Sequence, residues 1–182
     1  MAAELRDSAP DLAGEKWREA YDTICGTYRS ALLNTLYCGK RQTLMSTYNL
    51  TLEVLIIIVA AIVTALTALK ESTVAPWLMI SMAGGATVLA GLKPVLRLGD
   101  ATARYAVQHG GYRELYLAYQ DLVSVIRVEG RVTAAAWREH EALSRRFRAL
   151  EATSDPNPPL KYRQALQREV EMQIPVEDLR IA

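Results

Sequence analysis

The sequence predicts an all-α membrane protein: a two-helix transmembrane hairpin with long amphipathic cytosolic helices before and after it, the cytosolic part packing as a helical bundle or coiled coil. Three observations predict it. Two apolar runs, residues 54–69 (50–69 when Leu50 to Leu52 are counted) and 74–92, are separated only by Lys70-Glu71-Ser72-Thr73. At 1.5 Å per residue each run reaches roughly 30 Å, the thickness of a hydrocarbon core. One charge, Glu53, stands at their margin, so neither run has a polar face to offer water. Apolar residues in the flanking segments recur at alternating spacings of three and four, the mark of amphipathic helices.

In chain order, residues 1–10 form a polar tail, and Ser8-Ala9-Pro10-Asp11 reads as a helix start with proline in the first turn. Residues 11–49 form a cytosolic amphipathic helix. Its stripe is Trp17, Tyr21, Ile24, Tyr28 and Ala31, widened by Leu32 and Leu36, with Lys16, Arg18 and Glu19 off it. Such a face requires a partner helix. Whether the helix enters the first span directly or breaks near Gly39 is left open by the sequence.

The hairpin occupies residues 50–92. Ser72 or Thr73 caps the second span and Pro76 sits in its first turn. Ser81, Gly84, Gly85, Thr87 and Gly91 then keep that helix narrow, which lets backbones approach in lipid, where apolar burial no longer discriminates. Pro94 ends the span. Lys40 and Arg41 precede the hairpin, and Lys93, Arg97 and Arg104 follow it, against one Lys70 in the loop, so the basic residues place both termini in the cytoplasm. The first run begins too late for a cleaved leader and is expected to be its own insertion signal.

Residues 93–153 read as long cytosolic helices interrupted at His109-Gly110-Gly111, because adjacent glycines weaken a helix. Tyr112, Leu115, Tyr119, Leu122 and Ile126 keep a heptad that Ala136, Leu143, Phe147 and Leu150 resume after Glu129 and Thr133. A proline-rich linker, residues 154–159, stops the helix, and residues 160–182 give a short helix and a tail able to dock.

Net charge is +1, so no general affinity for nucleic acid follows from the total. Catalytic chemistry finds little support. His109 and His140, the only histidines, lack ligand-spaced neighbours and read as surface or interface residues. Gly91-Leu92-Lys93-Pro94 is not a phosphate loop. Cys25 and Cys38 fit no redox or zinc spacing and read as buried thiols. No catalytic activity, metal or cofactor is expected.

Two polar patterns stand out. Glu53, Ile57, Ala60, Thr64 and Thr67 share one face of the first span, so an assembly of several hairpins could turn that face inward as a pore lining. Alternatively Glu53 snorkels and the threonines satisfy their own backbone. Arg127, Arg131, Arg138 and Arg145 fall near one line along the long helix, as a solvated face or a site for lipid headgroups, a phosphate-bearing ligand or a partner. Aromatic interleaving is too thin for direct nucleic-acid binding.

The helix ending in Tyr37-Cys38-Gly39-Lys40-Arg41, the tight hairpin 54–92, and the long helix carrying Tyr112-Arg113-Glu114-Leu115-Tyr116 together resemble the SLATT family over roughly residues 12–150. These are bacterial two-transmembrane effector domains associated with nucleotide-signalling antiviral defence. The resemblance implies a homo-oligomeric effector in the bacterial inner membrane, silent until a sensor is triggered, which then forms a pore or otherwise depolarises the membrane and arrests growth. No fused sensor is recognisable, so the trigger would be a separate sensor protein or a nucleotide second messenger. An anchor or scaffold recruiting a cytosolic partner is the alternative reading, and a transporter subunit a third.

Overall fold

A computed structural model describes residues 15–68, 80–81, 83–85, 87–88, 90–91, 96–154 and 160–179. Among them all regular structure is helical: α1 (Glu15–Ala68), α2 (Leu98–Glu129), α3 (Ala134–Glu151), α4 (Leu160–Gln173) and a 3-10 turn (Glu177–Leu179). The helix start at residues 8–11, the loop 70–73, Pro76, Pro94 and linker residues 155–159 lie outside the described residues. The chain divides into two compact units, Met1–Gly39 with Val107–Ala182, and Lys40–Ala106.

The first unit is built from the early part of α1, most of α2, and α3 and α4. The stripe expected on α1 is the one it buries: Tyr21, Ile24, Tyr28, Ala31 and Leu32 are core residues. The α2 heptad is buried likewise, with Leu115, Tyr119 and Ile126 at 0 % exposure. Each such side chain removed from water contributes about 1.5–3 kcal/mol. Aromatic pairs join the helices. Tyr28 of α1 stacks on Tyr116 of α2 at 5.3 Å, and Tyr37 of α1 meets Tyr162 of α4 edge-on at 5.9 Å. Tyr112 of α2 meets Phe147 of α3 edge-on at 5.6 Å. Leu166, Val170, Ile174 and Leu179 bring α4 and the following turn into the same core.

One expectation about helix ends needs correction. The helix does not break at the glycine pair: α2 runs through Gly110 and Gly111 without interruption. A glycine inside a helix costs only about 1 kcal/mol, less than the packing of the heptad on both sides returns. The break falls instead at Gly130, whose φ of 67° lies in the left-handed region that glycine enters without a Cβ clash. Thr133 then caps α3, its hydroxyl accepting from the Ala136 amide at 3.3 Å. At the other end of α3 the Leu150 carbonyl accepts from the Thr153 and Ser154 hydroxyls at 2.8 and 2.9 Å. Gln108 of α2, buried, donates to the Thr153 carbonyl at 2.6 Å, which ties that helix end to its neighbour. Where the sequence left a break near Gly39 open, α1 is continuous.

The second unit holds the rest of α1, the described residues between 80 and 91, and the start of α2. Its basic residues stack: the Arg41 and Arg104 guanidinium groups lie 5.7 and 5.6 Å from the Tyr105 ring centre. Hydroxyls along α1 return to the carbonyl four residues back, Thr23, Thr27, Ser30 and Thr35 in one unit and Thr47, Thr51 and Thr64 in the other.

Candidate membrane face and basic surface

The apolar part of α1 is the feature that a compact helical fold does not account for. Leu44, Tyr48, Leu50, Val54, Leu55, Ile57, Ile58 and Ile62 are all exposed, Ile57 at 66 %. This helix alone among the described residues is long and apolar enough to cross a membrane, and none of its most apolar window is buried. A core helix of the same composition would be covered by its own chain. Residues this apolar on an uncovered helix call for a non-aqueous medium or another chain.

One stripe is partly covered: Met45, Asn49, Leu52, Ile56, Val59 and Val63, at spacings of four and three, are half-buried. The sequence reading missed this stripe: from Val54 onward nearly every position around it is aliphatic, so burial leaves no contrast to read. Beside it runs the polar face expected from sequence. Glu53 is half-buried and accepts from the Asn49 side-chain amide at 3.1 Å, while Ile57, Ala60 and Thr64 are exposed. The Thr64 hydroxyl donates to the Ala60 carbonyl at 2.9 Å. Among the described residues of this face Ile57, Ala60 and Thr64 thus point outward on a single chain; the Thr67 side chain is outside the described residues.

The small residues of the second run, Ser81, Gly84, Gly85, Thr87 and Gly91, are exposed as well. A Cβ at Gly84, Gly85 or Gly91 would meet no described atom within 4 Å. Thr87 donates to the Ala83 carbonyl at 2.9 Å. Among the described residues nothing packs on these glycines.

The arginine line is corrected by the break at Gly130. Arg127 lies in the last turn of α2, Arg131 lies in the turn that follows, and only Arg138 and Arg145 share a helix, seven residues apart on one exposed face of α3. Arg138 donates to the Ala134 carbonyl at 3.3 Å, and the exposed Arg146 pairs with the exposed Glu114 at 3.2 Å. A surface pair of that kind contributes little stability, about 0–1 kcal/mol.

Of the two alternatives left for His140, surface or interface, it takes the second: it is buried between α3 and α2. Its Nδ1 lies 3.2 Å from the Tyr119 hydroxyl and its ring 5.0 Å from that of Trp137. The signal was present: His140 falls four after Ala136 and three before Leu143, inside the apolar seam. Burial lowers its pKa from the ordinary value, with Arg148 acting in the same direction and Glu141 against them. Both cysteines are free and buried, and burial raises the Cys38 thiol to about 11, so it is a protonated core group.

A cavity of about 170 Å³ in the first unit is lined by Tyr37, Cys38, Gln108, Tyr112, Ser154 and Arg163 among others. Its central polar groups satisfy one another, the Tyr112 and Ser154 hydroxyls at 2.9 Å and Gln108 on Thr153. No cluster of metal-ligating side chains occurs among the described residues. In comparisons with family models, curated proteins and solved structures, the chain matches none.

Proposed function

We propose that this chain is a non-catalytic membrane effector, which assembles as a homo-oligomer in a bacterial inner membrane and permeabilises it when a separate sensor is triggered. In this reading residues 50–69 and 74–92 span the bilayer as a hairpin with both termini cytoplasmic, and the helical unit outside it receives the signal. The role in antiviral defence rests on the resemblance to the SLATT family. The observation that carries the membrane part is the apolar window of α1, none of which the chain itself buries. Oligomerisation is supported by the outward position of Ile57, Ala60 and Thr64 and of Gly84, Gly85 and Gly91, since one hairpin cannot enclose a pore.

The test is dye or ion efflux from liposomes containing the purified chain, with depolarisation of cells overproducing it. Glu53→Leu, and Thr64→Leu with Thr67→Leu, are expected to abolish efflux while the chain still inserts. Unchanged efflux retires the polar-face pore.

The anchor reading has an observation of its own in its favour. Thr64 is bonded to Ala60 and Glu53 to Asn49, so these polar groups already have partners within their own helix and do not require a water-filled path. An anchor predicts that an unrelated hairpin substituted for residues 50–92 keeps function, whereas an effector loses it.

A further inference from the structure

The outer faces of α2 and α3 carry complementary side chains that the packing of the first unit leaves uncovered. On α2, Leu117 is 48 % and Val128 90 % exposed, and Glu114, Asp121 and Ser124 are exposed beside them. On α3, Ala135, Arg138, Ala142, Arg145 and Ala149 recur at spacings of three and four. All five are exposed, opposite the side that carries Ala136, His140 and Leu143 into the core. A single exposed leucine is ordinary; two neighbouring faces of opposite charge and opposite bulk call for an explanation.

The two helices run antiparallel, and their contacts fix which residues stand level. The Tyr119 hydroxyl lies 3.2 Å from His140 Nδ1, and the Tyr112 ring meets that of Phe147 at 5.6 Å, so each step forward along α3 matches one step back along α2. Ala142, two positions after His140, is therefore level with Leu117, two before Tyr119. By the same count Arg138 is level with Asp121, Arg145 with Glu114, and Ala135 with Ser124. The exposed pair of Arg146 and Glu114 bridges the helices on their solvent side, so the two faces form one surface. Rotation about an axis parallel to the helices moves no residue along them. A second copy related by such a twofold axis sets its α2 across α3 with every one of these pairs at the same height. Leucine then meets alanine, bulk on one face fitting the small residue on the other, and each arginine meets a carboxylate. The Ser124 hydroxyl, which donates to the Gln120 carbonyl at 2.9 Å, brings no unpaired donor into the contact.

We propose that a second copy of this chain docks on this surface, α3 of each on α2 of the other. Arg138 pairs with the partner's Asp121, Arg145 with the partner's Glu114, and Leu117 seats on the partner's Ala142. The proposal deepens the homo-oligomer reading and rests on it, yet it uses no hairpin residue, so the two can fail separately.

The test is disulfide trapping in the full chain, purified in detergent micelles. Leu117→Cys and Ala142→Cys, made separately and distinguished by a size tag, are mixed and oxidised, after melting has shown that each folds as the parent does. The native thiols at Cys25 and Cys38 are buried, and the oxidised parent gives the background. Leu117→Cys mixed with Ala149→Cys is the register control, because position 149 lies about 10 Å further along the same face, beyond disulfide reach. The mixed dimer is expected to be several-fold more abundant for 117 with 142 than for 117 with 149. Arg138→Glu in both partners should lower that yield about fivefold, and adding Asp121→Arg should restore it. Equal yields from the two mixtures, or a charge swap without restoration, overturn the proposal. So does Leu117→Cys linking to itself more than to Ala142→Cys, which places α2 on α2. Arg138→Glu chains that keep their cross-links but no longer bind phosphatidylglycerol vesicles would assign the arginines to headgroups and overturn it as well. Cross-links without liposome efflux count against the effector reading alone, and efflux without cross-links against this interface alone.

Discussion

The two adjacent glycines of α2 offer a measurement in which neighbouring, identical substitutions have different expected results. At Gly110 an added Cβ meets nothing within 4 Å, so Gly110→Ala gains the full helix preference of alanine, about 1 kcal/mol. At Gly111 the same Cβ would lie 2.9 and 3.0 Å from the Leu150 methyl carbons of α3, closer than real Cβ atoms approach. Leu150 must leave its preferred position, which costs about 0.5–1.5 kcal/mol, and Gly111→Ala should come out near zero. The assay is thermal melting of the full chain in mild detergent, followed by circular dichroism. Gly110→Ala should melt about 2–4 °C above the parent, with Gly111→Ala at the parent value. Truncating Leu150 to Ala should make Gly111→Ala stabilising relative to the Leu150→Ala single variant, because the two positions couple only through that contact. Equal gains at both glycines would mean that α2 and α3 are not in contact there. A loss at Gly110 would mean that the helix does not continue through the pair.

Three further outcomes follow from the first unit. Because burial holds the folded His140 below its ordinary pKa of 6.5, the unfolded chain takes up the proton more readily; stability is fully present above pH 6.5 and falls as pH drops below it. Melting temperature against pH should show this slope, and His140→Gln should flatten it; an unchanged slope would remove His140 as its source. Thr133→Ala should cost about 1 kcal/mol through the lost cap of α3 and Thr133→Ser nearly nothing, so equal losses would count against the cap. Gln108→Leu, which deletes the donor to the Thr153 carbonyl, should cost about 1–2 kcal/mol and increase proteolysis near residues 150–154; unaltered cleavage would show that this bond does not hold the end of α3.

The faces of the helices were legible in the sequence because contrast between apolar and polar positions is what periodicity measures. Tyr21, Ile24 and Tyr28 on α1, and Leu115, Tyr119 and Ile126 on α2, are buried as their spacing requires. Where contrast vanishes, so does legibility: the half-buried positions Ile56, Val59 and Val63 lie among aliphatic neighbours and left no pattern. Glycine misled for a different reason. Gly110-Gly111 and Gly130 are alike in composition, but tertiary packing holds the first two in a helix while the third adopts a positive φ. The alignment of Arg127 with Arg138 and Arg145 failed with that misplaced break. The hollow that Trp17 and Arg18 line together with Val176 and Leu179 was invisible because its two walls lie about 150 residues apart in the chain.

The hydroxyls of α1 that close back on their own helix have a consequence for solvation. A threonine wired to the carbonyl four residues earlier presents only methyl and a shielded oxygen to whatever surrounds it, so transfer from water to hydrocarbon strands no donor. Thr47, Thr51 and Thr64 therefore impose much less of the usual dehydration penalty on an otherwise aliphatic stretch. Each doubly used carbonyl also shares its ladder bond, which lets the helix bow slightly at those points, and replacement by isosteric valine would stiffen it.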